Sequence, residues 1–235
     1  MCSRYSLTSP PEAVRSYFRT VNKLDFPPRY NIAPAQPVLI VRTGLNGERE
    51  QALVRWGLIP AWVKDPRKLT TLINARSETA ADKPSFRGPM RHRRALVPTD
   101  GFYEWTGRAG AKRPHLIRAT EVEEAGSHLM GLAGIWETWL GADGSEIETM
   151  AILTTAANAT VAPIHDRMPV IVAAADFDRW LDCSPGSAAP VAGLLQPAPA
   201  ALLEVIAVHP RLNNVRNEGP ELWQPPPDTV GTRLI

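Results

Sequence analysis

Asp100-Gly101-Phe102-Tyr103-Glu104-Trp105 is the stretch on which the reading of this fold turns. Side chains alternate across a strand, so Phe102 and Glu104 point to one face and Tyr103 and Trp105 to the other. Aromatic residues on both faces describe an interior strand. A carboxylate there is costly unless paired, and burial would raise the Glu104 pKa toward the range of a general acid or base. Outward from this strand, short β-rich runs recur at 38–42, 51–56, 94–97, 115–118, 129–136, 149–154, 170–172 and 203–208. Ser9-Pro10-Pro11-Glu12 spells a helix start, with Ser9 as cap, proline in the first turn and Glu12 as capping-box partner. Ala13, Val14, Tyr17 and Phe18 give that helix one apolar face. Short helices are expected at 75–81, 157–161 and 174–181, and the alanine- and proline-rich run 184–199 reads as a packed loop. The sum is an α+β fold, predominantly antiparallel β-sheets with short flanking helices, in a single domain over 1–235.

The 235 residues suffice for a substantial core, and 44% hydrophobic with 21% charged residues is the composition of a soluble globular protein. A formal net charge of +2 sets up no bulk field for nucleic acid, so any basic surface must be local. Cys2 and Cys183 make neither a disulfide framework nor a metal-ligand spacing, which fits a reducing compartment. His92, His115, His128, His165 and His209 are scattered, so no metal site is expected. The absence of a glycine-rich phosphate loop argues against a nucleotide cofactor. Met1-Cys2-Ser3-Arg4-Tyr5-Ser6 has no apolar signal core and no later stretch is long enough to span a bilayer. A cytoplasmic protein without a membrane partner is expected.

Three further islands combine polar groups with shaped loops. In Tyr30-Asn31-Ile32-Ala33-Pro34, Pro34 fixes the backbone and Asn31 can bond neighbouring amides; a structural turn explains it equally well. Leu72-Ile73-Asn74-Ala75-Arg76-Ser77-Glu78-Thr79 places an amide and a guanidinium two residues apart as a strand gives way to a helix. Asn74 could hold an amine or a sugar oxygen and Arg76 a phosphate, although an ordinary helix start accounts for the same residues. Ile164-His165-Asp166-Arg167-Met168-Pro169-Val170 sets a proton-transfer group beside a carboxylate and an arginine, ahead of a strand.

Cys2 adds the reactive group. Removal of Met1 would leave a free α-amine and a thiol on adjacent carbons, a pair that traps aldehydes. The amine condenses to a Schiff base and the sulfur closes a five-membered thiazolidine. Ordinary pKa values of about 8 for the amine and about 8.5 for the thiol leave useful fractions of both nucleophiles near neutral pH. An N-terminal Cys, an Asn-x-Arg, a Glu between aromatics and a His-Asp-Arg-x-Pro, in that order, closely resemble the SRAP family of abasic-site processing proteins, also called SOS response-associated peptidases. The resemblance runs from Cys2 to Asn213-Asn214-Val215-Arg216-Asn217-Glu218-Gly219-Pro220-Glu221-Leu222.

The resemblance implies sheets curved into a barrel-like core, loss of Met1, and a thiazolidine crosslink between Cys2 and the ring-opened aldehyde of an abasic site, which shields the lesion in the DNA damage response. Asn74 looks like the residue that orients the Cys2 amine, Glu104 like the acid-base group beside it, and His165 like the one assisting sugar-ring opening and crosslink reversal. Arg76 and Arg167 look like phosphate holders, with Arg4, Trp62 and Trp105 as additional DNA contacts. The basic run Arg87, Arg91, Arg93 and Arg94 either extends the phosphate track or is a solvated loop. The implied partner is single-stranded or junction DNA with an abasic site, bound without cofactor by a monomer that joins the nucleoid at damage. Ser3 stands where the family usually has glycine, and Val63 where some members carry a second tryptophan. Three other readings stand beside it: a cysteine peptidase with Cys2 as nucleophile and His165 as base that cleaves after Met1, a DNA-binding module without chemistry in which Cys2 is incidental, and slow β-elimination at the lesion through the Cys2 imine.

Overall fold

The computed structural model describes residues 2–108, 110–121, 128–185 and 191–226. The strand expected around Phe102 is present as β7 (Gly101–Thr106), central in a five-stranded sheet. The sheet runs β13 (Leu203–Ala207), β8 (Arg113–Ala119), β7, β1 (Tyr5–Leu7), β2 (Arg29–Ile32). Its pairings are antiparallel, with Glu104 opposite His115 and Tyr5 opposite Phe102. Alternation along β7 holds: Phe102 enters the main core, whereas Tyr103 joins a smaller cluster with Leu116, Val208, Leu212 and Leu222 on the other face.

The second sheet closes on itself. β3 (Pro37–Thr43), β4 (Arg49–Trp56), β6 (Arg94–Thr99), β9 (Met130–Leu140) and β10 (Glu146–Ala156) pair in a ring, β10–β4–β3–β6–β9 and back to β10. Four pairings are antiparallel; the fifth, β4 with β10, is parallel through Thr149 opposite Arg55 and Met150 opposite Trp56. Closure leaves these strands without a bare edge. Three short strands extend the ring: β5 (Asn74–Arg76) and β11 (Arg167–Pro169) along β10, and β12 (Ile171–Val172) along β9. The barrel-like antiparallel core expected from the sequence is therefore observed. At Gly134 in β9 an added Cβ would lie 2.9 Å from the Val97 side chain, so only glycine lets the two strands approach this closely.

Helices are short: α1 (Pro11–Phe18), α2 (Ser77–Ala80), α3 (Arg87–His92) and α4 (Phe177–Leu181). Among the described residues no helix is long and apolar enough to cross a membrane. Three local expectations are corrected. Ser9 does not cap α1: Pro10 occupies that position, and the Ser9 hydroxyl and amide turn to Asp100, a charged and stronger acceptor. Residues 157–161 form a turn rather than a helix, because Asn158 Oδ1 accepts from the Thr160 and Val161 amides at 3.1 and 3.0 Å. Arg94 belongs to no phosphate track; it is buried, donating to the carbonyls of Trp180, Met90 and Asp182. Part of the 184–199 run lies outside the described residues, and Val191 and Ala198 from the rest are buried in the core.

Candidate active site

Cys2 lies just ahead of β1 with no exposed surface. The strand register carries it to the place where β5 runs beside β10, with Asn74 opposite Ile152. There the Asn74 Nδ2 donates to the Cys2 carbonyl oxygen at 2.7 Å. Asn74 Oδ1 is buried and has no partner among the described residues, leaving an acceptor beside residue 2. The Cys2 thiol donates to the Arg4 carbonyl oxygen at 3.8 Å.

Glu104 reaches the same spot from β7 and is buried. Burial pushes its carboxyl above the ordinary carboxylate range, an effect partly opposed by its electrostatic interaction with His165. Burial likewise pushes the Cys2 thiol well up, and the Glu104 charge adds to that. Glu104 and Cys2 thus interact electrostatically, as do Glu104 and His165. His165 sits in the loop before β11, where its Nδ1 accepts the Arg167 amide at 2.9 Å, with exposed Asp166 at the same distance. An Nδ1 that accepts from a fixed backbone N–H leaves the neutral ring its proton on Nε2. Asn74 thus touches Cys2 directly, and Glu104 lies within electrostatic reach of both Cys2 and His165, residues up to 163 positions apart in the sequence.

The arginines divide. Arg76 is exposed and makes no hydrogen bond or ion pair among the described residues. Arg167 is committed: Nη1 and Nη2 grip Glu78 at 2.5 and 2.8 Å, and Nη2 also donates to the Thr154 carbonyl oxygen at 2.6 Å. Both flank β10, Arg76 opposite Thr154 and Arg167 opposite Ala156. Arg4 is largely spent inside the protein, donating through Nη1 to Asn31 Oδ1 at 2.7 Å and to the Leu212 carbonyl oxygen, while lying over the Trp105 ring. Trp105 donates to Asn213 Oδ1 at 2.7 Å.

The comparisons with known proteins follow this geometry. The model of the family described as SOS response associated peptidase (SRAP) matches residues 1–215. This chain belongs to the SRAP family. It is 36% identical over 226 residues to the abasic site processing protein YoqW of Bacillus subtilis, covering 94% of this chain and 98% of the relative. It is also 36% identical to the abasic site processing protein HMCES of Gallus gallus, across 84% of this chain and 66% of that protein. A crystal structure of a protein from Bacteroides thetaiotaomicron superposes with a TM-score of 0.82 at 26% identity, covering 95% of this chain and 99% of the other.

Two features of this SRAP chain escaped sequence reasoning. Asn31, read as a turn residue, is a buried hub whose Nδ2 donates to the carbonyls of Leu212, Asn214 and Asn217 and so fastens the 212–217 stretch beneath Arg4 and Trp105. Glu78 was visible in its motif but nothing local signals a partner 89 positions away. Trp62 stands outside the Cys2 contacts. It is 62% exposed and lines a groove of about 290 Å³ with Arg87, Arg91 and His92, while the neighbouring Val63 carbonyl accepts from Trp139 Nε1 at 2.6 Å. Among the described residues no cluster of His, Cys, Asp or Glu could hold a metal ion.

Proposed function

We propose that this SRAP protein captures abasic sites in single-stranded DNA by forming a thiazolidine at Cys2 once Met1 has been removed. The observation that carries the reading is the Asn74 side chain held on residue 2, with Glu104 within electrostatic reach of Cys2 on one side and His165 on the other. The names of the relatives, abasic site processing proteins, support the same substrate.

The Cys2 amine attacks C1′ of the ring-opened deoxyribose, and the carbinolamine loses one water to give an imine. The thiol then adds across the C=N bond, sulfur to carbon and proton to nitrogen. Each step moves a proton, and Glu104, its carboxyl pushed up by burial, serves as base to the ammonium and acid to the departing hydroxyl. Asn74 fixes residue 2 through its carbonyl and keeps Oδ1 free to accept from the new amine. His165 Nε2 exchanges a proton with the sugar oxygen during ring opening and crosslink reversal. Arg76 meets a phosphate flanking the lesion, and Arg167 lies across β10 from it. Arg4 and Trp105 act as one tethered pair at the DNA contact, and Trp62 offers a face for stacking. A peptidase reading is less well supported: burial works against a standing Cys2 thiolate, and the Cys2 thiol donates to the Arg4 carbonyl oxygen.

The test uses protein whose mass shows Met1 to be absent, mixed with a single-stranded oligonucleotide bearing one abasic site. Expected is a species that survives denaturing electrophoresis, has the mass of protein plus DNA less one water, and is absent with Cys2→Ala or intact DNA. Failure to form it overturns the proposal in favour of hydrolysis or plain DNA binding.

A further inference from the structure

We infer that Glu78 is a positioning residue of the capture site, acting through Arg167; the inference deepens the function proposed above and rests on it. Glu78 lies on α2, directly behind Asn74 and Arg76. Its two oxygens take both terminal nitrogens of Arg167, a fork that fixes orientation as well as distance. Arg167 is only 14% exposed on its side chain and also donates to the Thr154 carbonyl oxygen on β10, the strand between the two partners. The Arg167 backbone N–H in turn holds His165 Nδ1.

A continuous path follows: from the Cys2 carbonyl to Asn74, along β5 into α2, across the Glu78–Arg167 fork, and through the Arg167 backbone to His165. The fork thus clamps the segment that seats the nucleophile against the segment that carries the histidine. A shift of about 1 Å between two such groups is enough to slow a reaction many-fold. The same carboxylate neutralises Arg167 and draws on the charge of Arg76, so it also opposes an incoming phosphate. Glu78 therefore slows entry of the strand while it speeds capture, and its removal separates the two steps.

The experiment compares Glu78→Gln and Glu78→Asp with the full-length wild type. Binding of an undamaged single strand at low salt is read by anisotropy, and the rate of covalent capture is read at saturating abasic-site DNA. For Glu78→Gln, binding is expected to tighten about 3-fold with one phosphate-opposing charge gone, while saturated capture slows about tenfold. Glu78→Asp keeps the carboxylate on a shorter arm and recovers part of that rate. An unchanged capture rate overturns the inference, as does a joint loss of binding and capture, which a general loss of structure would give. Should Glu78→Gln not fold, Glu78→Asp decides alone, with a wild-type rate as the overturning result. Wild-type protein that captures nothing sinks the proposed function and this inference together. Wild-type capture matched by Glu78→Gln sinks the inference only.

Discussion

Glu104 is a buried carboxyl whose cost is met by what it can do for its neighbours. Its raised pKa means that the folded chain holds the proton more tightly than the unfolded chain. That stabilising effect is complete below the unfolded value and is lost as pH rises through the folded value. Glu104→Gln removes the loss, so the variant's thermal midpoint should gain on the wild type as pH rises above the ordinary carboxylate value of about 4.3. Lesion capture by the same variant should fall by about 10² or more, measured as single-turnover crosslinking. Asn74→Ala leaves the Cys2 carbonyl without its 2.7 Å donor, at an expected cost of about 1–2 kcal/mol in denaturant melts and slower capture. Glu104 was legible in the sequence because alternation along one strand placed a carboxylate among aromatics. The commitment of Arg4 was not, since its partners Asn31 and Leu212 lie 27 and 208 positions away.

At the level of elements, side chains reinforce the strand ladders that join the pieces bearing the site. Asp100, in the turn between β6 and β7, accepts from the Thr8 and Ser9 amides at 2.5 and 2.8 Å and from both hydroxyls, tying the start of α1 to the strand of Glu104. Asn31 does the same for the 212–217 stretch. Asn31→Ala strips Arg4 of an acceptor and three carbonyls of a donor, and should cost about 2–4 kcal/mol. Limited proteolysis should then cut first between Val208 and Trp223, with strands of the barrel ring still protected. Long strands with clear runs of β-formers were readable. The three-residue strands β1 and β11 were not, because each is held by its neighbour and too short to show a period, whereas β5 was legible as the strand that gives way to α2. The Ser9 helix start misled for a related reason: a capping motif is a local bid, and Asp100 outbid it from 91 positions away.

Across the whole molecule, a net charge of +2 with a few aligned arginines gives shallow electrostatics. Non-covalent binding to a single strand should lose about 0.7 in its log–log salt slope for each phosphate contact removed, so Arg76→Ala should lower the slope by about that much for any base sequence. The ring is centred on residues such as Trp56, which is fully buried, lies 5.2 Å from the Tyr5 ring and donates to the Ile73 carbonyl oxygen. Trp56→Ala should cost about 3–5 kcal/mol and loosen the seat of Cys2 along with the ring, a joint effect visible as lost hydrogen-exchange protection in β1 and β4. The complete burial of Cys2 also sets an order of events during synthesis. A ribosome releases the nucleophile first, but Asn74, which holds its carbonyl, and Glu104, which acts on its thiol, follow 72 and 102 positions later. Under the proposed function, loss of Met1 is therefore expected on the growing chain, and nascent chains arrested before His165 should already begin at Cys2 when weighed.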